Sequence, residues 1–244
     1  MHLKEKITFL LSPRLLTKLY ILDSIKFLLK KHPEKFMGKK LLDLGCGSKP
    51  YAPLFEPLGV DYKGIDFEGY SLNKTYAAQR PDFFFSKNYG KTFRLPEIKS
   101  GSYEALASFE VLEHCSEPGV FFGEASRILK KGGHLLISLP FMWELHEEPH
   151  DFYRYSHFKI ADFCEKNGLE IIETVPRGNA LSTLVQLSSI AVTEQGWPYI
   201  LRVAIYGLVF FPLQILTYLI AGHFSGPLEQ RKILLGYTFL IRKK

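Results

Sequence analysis

The run Leu41-Leu42-Asp43-Leu44-Gly45-Cys46-Gly47-Ser48 reads as an apolar strand that ends in a carboxylate and a glycine turn. Glycine accepts positive φ and lets backbone approach a ligand with no Cβ between them, and open α/β sheets bind ligands beyond the carboxyl ends of their strands. The stretch is therefore suited to a nucleotide-like cofactor. A second predicted strand, Val60 to Ile65, ends at Asp66. Its roughly 20-residue separation from the first suits a carboxylate that accepts hydrogen bonds from ribose hydroxyls. A dinucleotide fingerprint needs a third glycine where this chain has Pro50, which leaves pyrophosphate no smooth turn. Pro50 suits instead the first turn of a helix.

Further motifs follow in order. The second strand closes as Tyr62-Lys63-Gly64-Ile65-Asp66, and Ser108-Phe109-Glu110-Val111-Leu112-Glu113-His114 follows the pattern of a fourth strand running into an acidic turn. Ala125-Ser126-Arg127-Ile128-Leu129-Lys130-Lys131-Gly132-Gly133, with Leu135 to Pro140, reads as helix, turn and fifth strand. With these motifs in this order, the chain resembles the class I S-adenosylmethionine-dependent methyltransferases from about Gly38 to Arg177 and again at its last strand. The resemblance implies an α/β, Rossmann-like seven-stranded sheet, mostly parallel with an antiparallel last strand and helices on both faces. It implies S-adenosylmethionine as cofactor, held by Asp43, Gly45, Cys46, Gly47, Asp66, Phe67 and Glu110. Two departures stand out. Lys49 replaces the usual third glycine of the first motif, and no clear acid follows the third strand, Asp82 to Ser86, which leaves Asn88 as the positional candidate near adenine.

A length of 244 residues with 46% hydrophobic content supports one well-buried core carrying an insertion. The net charge of +6 collects toward the ends, in Lys26, Lys30, Lys31, Lys35, Lys39 and Lys40, then Arg231, Lys232, Arg242, Lys243 and Lys244. No aromatic interleaving accompanies it, so no nucleic-acid partner is expected; a solvated face or an anionic membrane surface fits better. Cys46, Cys115 and Cys164 are odd in number and far apart, which suits neither a disulfide framework nor paired zinc ligands and gives an expectation of a reducing cytosol and no metal. The N-terminal apolar patches are broken by Lys4, Glu5, Lys6, Pro13 and Arg14, unlike a signal peptide, and read as mature sequence.

Leu15, Leu16, Leu19, Leu22, Ile25, Leu28 and Leu29 recur at helical spacing, predicting an amphipathic helix in a cap of residues 1–37 ahead of a domain at 38–244. In the resembled family such a helix often lids the site; packing on the sheet is the alternative. A helix over His157 to Lys166, stopped by Asn167-Gly168, precedes a sixth strand at Leu169 to Val175, and the last strand is placed at Leu234 to Arg242. Residues 177–232 are thus an insertion between the two. No charge falls between Arg202 and His223, and Val203 to Ala221 reaches the length of a membrane span. Ala180 to Thr193 is too short and too rich in Ser and Thr for a second span, while Pro212 and Gln214 mark a kink or a polar spot. If the flanking strands pair, both ends of the insertion lie on one side of a bilayer. The expectation is peripheral or monotopic attachment at the inner, cytoplasmic face, with an internal cap or dimer surface as the alternative.

Pro140 to Ser156 is the densest polar-aromatic segment. His146-Glu147-Glu148-Pro149-His150 matches a zinc-protease pattern whose ligands must share one continuous helix, and Pro149 breaks that helix. The ending Pro149-His150-Asp151-Phe152-Tyr153-Arg154-Tyr155-Ser156 resembles a segment of methyltransferases associated with polysaccharide and glycolipid biosynthesis. Methyl transfer from a sulfonium asks for alignment and exclusion of water, and an alcohol acceptor also needs a general base. His146 and His150, oriented by Asp151 or Glu147, are the candidates, with His114 a third; each has a structural hydrogen bond as its alternative. Trp143, Arg154 and Tyr155 are candidates for holding the acceptor, Arg154 either gripping an anionic group or pairing with Glu144 or Asp151. Tyr51, Phe141 and Trp143 offer π faces to a sulfonium. Glu110 and Glu113 follow the fourth strand, placed for the methionine ammonium or for a helix N-terminus. The expected activity is O-methylation of a small-molecule or lipid-linked glycan, glycolipid or other amphiphile. A quinone or lipid acceptor, and a non-catalytic scaffold, are the alternatives.

Overall fold

The computed structural model describes residues 12–67, 80–85, 93–221 and 232–244; Asn88, Ser86 and Arg231 lie outside them. Seven strands form one sheet in the order β3-β2-β1-β4-β5-β7-β6: β1 Lys40–Leu44, β2 Asp61–Phe67, β3 Phe83–Phe85, β4 Tyr103–Phe109, β5 Leu129–Pro140, β6 Leu169–Arg177 and β7 Gly236–Lys243. The order reverses between β1 and β4, both parallel neighbours, with Asp43 opposite Gly64 on one side and Ala107 on the other. Leu41, Leu42, Leu44, Ala105, Leu106 and Ala107 are fully buried, because a central parallel strand is covered on both faces. The last pair runs antiparallel: Leu235 N–H donates to Arg177 O (2.9 Å) at one end and Lys244 N–H to Gly168 O (3.1 Å) at the other.

The chain divides into two compact units. A sheet unit comprises Ile25–Pro140, Leu145–Thr174 and Tyr237–Lys244; a helical unit comprises Met1–Ser24, Phe141–Glu144 and Val175–Gly236. In the sheet unit Phe36, Phe55, Phe121, Phe122 and Phe239 are fully buried, each stabilising by about 1.5–3 kcal/mol. That core makes the strand ends a rigid platform. α2 (Pro118–Ile128) begins with proline at its first position. α3 (His157–Lys166) has the predicted bounds, capped by the Ser156 hydroxyl and closed by Gly168 at φ +67°.

Four elements differ from expectation. The segment after Pro50 is two 3₁₀ turns, Ala52–Leu54 and Glu56–Leu58, rather than an α-helix; Pro53 and Pro57 each remove an amide donor and stop propagation. β5 begins at Leu129, and its register against β4 shifts between Tyr103 and Ala105. The Lys130–Gly133 stretch bulges there, and a Cβ on Gly133 would meet the carbonyl oxygens of Glu104 and Lys130 at 2.9 Å. β6 runs two residues further than the hydrophobic pattern suggested, and β7 is shifted, beginning two residues later and ending one residue later.

The helical unit contains the first residues of α1 (Leu15–Lys31), then α4 (Ala180–Thr193), α5 (Tyr199–Ile205), a π-helical turn (Tyr206–Phe210) and α6 (Phe211–Ala221). An Asn179/Ser182 capping box starts α4. The π turn lies just before Pro212, whose ring would clash with the carbonyl of Leu208 in a regular helix. Gln214 is fully buried and donates to Pro13 O (3.0 Å), Tyr206 Oη donates to Ser12 O (2.6 Å), and Gln186 Oε1 accepts from Thr17 N (3.2 Å). The polar residues of the apolar helices thus satisfy backbone at the start of α1.

Candidate functional site

The glycine loop after β1 is held by β2. Gly45 and Cys46 donate backbone N–H to Ile65 O at 2.9 and 3.2 Å. Gly45 has φ +76°, and a Cβ there would stand 2.6 Å from a methyl of Val111. Gly64 is needed for space: its Cβ would lie 2.4 Å from Cys46 Sγ. Asp66, at the end of β2, accepts from the amides of Gly47 and Phe67, the latter at 2.6 Å. Burial raises its pKa, opposed by those amides. A carboxylate has about four acceptor sites, so Asp66 can clamp the loop and still receive ribose hydroxyls.

Asp43 is buried beneath the loop and accepts from Tyr62 Oη on one oxygen; its other oxygen has no hydrogen-bond partner among the described residues. Burial pushes this carboxyl up to about 7, against the pull of the Tyr62 hydroxyl. Burial also raises the Cys46 thiol. A cavity of about 340 Å³ opens above these residues, lined by Asp43, Gly45, Cys46, Gly47, Asp66, Tyr51, Glu110, His114 and Glu147 among others. The volume is in the range of small-molecule sites. Of the expected cofactor residues, Phe67 alone stands outside the lining, its ring 6.2 Å from that of Phe85. Glu110 accepts from the Ser138 hydroxyl at 2.6 Å.

Lys49, Glu110 and Glu147 are the non-glycine residues at positive φ among those described. Such strain concentrates at functional sites. Lys49 accounts for its departure from glycine: Nζ reaches Asp82 Oδ2 at 2.6 Å, and the same oxygen accepts from Gly64 N at 2.7 Å. Asp82 was not singled out in the sequence, since no local signal links it to a loop 33 residues earlier.

The Leu145–Ser156 segment carries no helix through His146 and His150, as Pro149 requires. Instead the loop is tied to the 3₁₀ turn Leu112–His114 after β4. Phe152 N–H donates to Glu113 O (2.9 Å), and His150 O accepts from His114 Nδ1 (2.8 Å). His146 meets Asp151 twice, through its backbone N (3.0 Å) and through Nδ1 (3.1 Å). Arg154 grips Asp151 bidentately at 2.5 and 2.7 Å. Burial opposes the charge on Asp151, but the Arg154 and His146 contacts overcome it and bring the carboxyl down to about 2. The His114 and His146 rings lie 4.8 Å apart, and both Nε2 atoms are 3.8 Å from Oε1 of Glu113, whose side chain is fully buried. Burial lowers the His114 pKa, against the pull of the His150 carbonyl and Glu147.

The structure thus gathers His146, Asp151 and Arg154 with His114 and Glu113. It places the ring of His150 beside Phe152, 6.2 Å between centroids. Tyr155 is buried against Phe163 and donates to Leu112 O at 3.4 Å. Trp143, Phe141 and Glu144 belong to the helical unit, where Glu144 pairs with Arg14. Glu113 and His114 lie 33 and 32 residues before His146, too far for any periodicity to connect them.

Residues 16–174 match the family model described as "Methyltransferase domain". Among curated proteins, the chain is 28% identical over 110 residues to a ubiquinone biosynthesis O-methyltransferase of Acinetobacter baylyi, covering 44% of this chain and 46% of that protein. It is 25% identical over 153 residues to the one of Nitrosococcus oceani, covering 55% and 64%. The matched stretch thus spans about half the length of these relatives. Among solved structures, the [4+2]-cyclase SpnF superposes with a TM-score of 0.55 at 17% identity, covering 89% of this chain and 80% of SpnF. An S-adenosylmethionine-dependent methyltransferase from Mesorhizobium loti gives 0.53 at 13%, covering 88% and 95%. At these identities the structures speak to fold alone.

Proposed function

We propose, for a chain that belongs to the class I S-adenosylmethionine-dependent methyltransferases, that it methylates a hydroxyl oxygen on a small, lipophilic, quinone-like acceptor. The observation that carries the reading is the His146–Asp151 pair, whose His146 ring lies 4.8 Å from that of His114, a residue lining the cavity walled by the glycine loop. Two features support the cofactor's assignment to this cavity: a Cβ at Gly45 would crowd its wall, and one buried oxygen of Asp43 has no hydrogen-bond partner among the described residues. Asp43, Gly45, Cys46, Gly47, Asp66 and Glu110 are assigned to hold it. S-adenosylmethionine, when bound, supplies an electrophilic methyl group on a sulfonium. The chain's own work is to exclude water, align the acceptor and manage its proton. His146 is the group assigned to that proton, with ionised Asp151 holding Nδ1–H and so presenting Nε2 as the acceptor.

The glycan or glycolipid acceptor expected from the Pro149–Ser156 ending is the less supported choice. Arg154, the residue available to grip an anionic sugar, already spends its fork on Asp151, and the curated relatives are named for ubiquinone biosynthesis. The helical unit supports a lipophilic acceptor too. Tyr199–Ile220 is a continuous apolar helix of 22 residues with mean hydropathy 2.0, and Ile200, Leu208, Leu219 and Ile220 are each more than half exposed. Its two flanks meet at the Leu235–Arg177 hydrogen bond, so a single crossing is incompatible with the paired strands. Attachment to one leaflet, assigned to the cytoplasmic face, satisfies that constraint.

The test is transfer of labelled methyl from S-adenosylmethionine to a panel of alkylated catechols and hydroquinones, with a soluble polysaccharide as comparison. His146→Ala is expected to lower turnover about 100-fold or more with cofactor affinity unchanged. Asp66→Ala is expected to abolish cofactor binding. Methylation of the polysaccharide alone would overturn the acceptor assignment. Flotation with lipid vesicles tests attachment: Ile200→Glu with Leu208→Glu should leave the protein unbound.

A further inference from the structure

We propose that Glu147 is a specificity-determining residue that favours the positively charged sulfur of the cofactor, so that the cavity holds S-adenosylmethionine more tightly than its demethylated product, S-adenosylhomocysteine. The inference deepens the function proposed above and rests on it for the identity of the ligand; the charge preference is argued from the cavity wall. S-adenosylmethionine carries a sulfonium, an ammonium and a carboxylate, and so one net positive charge. The product has lost the sulfonium charge and carries none. A negative wall therefore separates two molecules of almost the same shape.

Asp43, Asp66, Glu110 and Glu147 line the cavity, and among the described residues no lysine or arginine does. Burial is the largest cause that pushes the Asp43 and Asp66 carboxyls up, and like charge adds to it: Asp66 acts on Asp43, and Glu147 on Asp66. A cation among these groups relieves the repulsion. Asp43 is 1% exposed, and one of its oxygens has no hydrogen-bond partner among the described residues, so the wall is a built surface and more than a group of solvated acids. Lys49, the cation of the glycine loop, turns away. Its Nζ meets Asp82 at 2.6 Å, where Lys63 also stands at 3.8 Å, and Asp82 is outside the lining.

Three of the four acids have other work. Asp66 accepts from the Gly47 and Phe67 amides, Glu110 from the Ser138 hydroxyl at 2.6 Å, and Asp43 from Tyr62 Oη. Glu147 is half-exposed, and its Oε2 stands 3.8 Å from His114 Nε2, beyond hydrogen-bonding reach. Successive side chains of an extended chain point to opposite sides. Glu147 instead takes φ +52° in a turn closed by His150 N–H donating to its carbonyl oxygen at 3.0 Å. Both it and His146 thereby reach His114. The turn divides the labour: His146 is left for the acceptor and Glu147 for the cofactor. In a medium between protein surface and water, a unit charge about 6 Å from another changes affinity roughly three- to thirtyfold. During transfer the O–CH₃ bond forms as the C–S bond breaks, and that bond's electron pair goes to sulfur. The charge that Glu147 favours vanishes with the chemistry, so the interaction serves cofactor capture and product release and adds nothing to the transfer step.

The experiment is calorimetric titration of the full-length protein, in mild detergent, with S-adenosylmethionine and with S-adenosylhomocysteine. It is repeated for Glu147→Gln, which keeps the shape and removes the charge, and for the exposed neighbour Glu148→Gln. The parent is expected to prefer S-adenosylmethionine. Glu147→Gln should lose about three- to thirtyfold of that preference, through weaker S-adenosylmethionine binding with the product's affinity unchanged. Glu148→Gln should change it by less than about twofold, and raising salt from about 0.1 to 1 M should shrink it in the parent. In turnover, Glu147→Gln should raise KM for S-adenosylmethionine without lowering kcat. Equal losses for both ligands would make Glu147 a support of its turn. A lowered kcat with the preference unchanged would make it a positioning residue for His114. Either result overturns the proposal. A parent that binds both ligands alike also overturns it and leaves the methyltransferase assignment standing, whereas a folded parent that binds neither removes that assignment and the proposal with it.

Discussion

Alanine at Gly45 tests whether the glycine loop is shaped by backbone conformation, by space, or by both. The residue sits at φ +76°, and an added Cβ would lie 2.6 and 2.7 Å from the two methyl carbons of Val111, where carbon pairs prefer about 3.5–4.0 Å. Left-handed backbone costs a non-glycine residue about 1–2 kcal/mol, and overpacking of a filled site about 1–3 kcal/mol. Gly45→Ala is thus expected to destabilise by roughly 2–5 kcal/mol, a large part of the about 5–15 kcal/mol available to a typical domain. Val111→Ala removes both clashing methyls, so in the double variant only the overpacking share returns. A coupling of about 1–3 kcal/mol should appear in the double-mutant cycle, while the backbone share persists. Urea unfolding of the four proteins measures this. Calorimetry with S-adenosylmethionine should show affinity down about tenfold for each 1.4 kcal/mol by which the loop shifts. A Gly45→Ala protein within about 0.5 kcal/mol of the parent would refute the steric argument. Complete rescue by Val111→Ala would refute the backbone one.

Three further outcomes follow from the site and its sheet. Asp151 is brought from 3.8 down to about 2; a depressed carboxyl stabilises above its unfolded value, so roughly 2 kcal/mol should be lost as pH falls from about 4 toward 2, and Asp151→Asn should flatten that limb of a pH-dependent unfolding series. His134 on β5 is pushed down to about 4 by burial and by Lys35, Lys39 and Arg242. The unfolded chain therefore binds a proton that the native state refuses, and up to roughly 3 kcal/mol should be lost as pH falls from about 6.5 to 4. His134→Leu should remove this slope at little cost near pH 8, because neither ring nitrogen has a hydrogen-bond partner among the described residues. Asp82→Ala releases both Lys49 and the Gly64 amide, and calorimetry should show cofactor affinity down about five- to thirtyfold although Asp82 does not line the cavity.

Much of the frame was legible locally. The bounds of α3 follow from Ser156 and Asn167-Gly168, and the glycine loop from its own residues. Pro149 was enough to exclude a helix through His146 and His150. The failures were local conflicts that a single motif conceals: Pro53 and Pro57 overrode the helix start at Pro50, and a bulge at Gly132-Gly133 let β5 begin six residues earlier than its apolar core. The partner of Arg154 stayed open in the sequence between Glu144 and Asp151, because both are within reach of a long side chain. The fold settled it by giving Glu144 to Arg14.

What the amino-acid sequence determined by itself is what depends on neighbours along the chain. Strand and helix periods, caps, and a glycine turn flanked by carboxylates specify the sheet class and the position of the glycine loop at the end of its first strand. What only the tertiary structure decided is which distant groups share a few ångströms. Lys49 meets Asp82, and Glu113 and His114 meet His146 and Asp151. Those meetings depend on the order of β4 and β5 in the sheet and on a loop fastened back by Phe152 to Glu113. Spacing carries no imprint of such contacts, because burial and hydrogen bonding act through space and not along the chain.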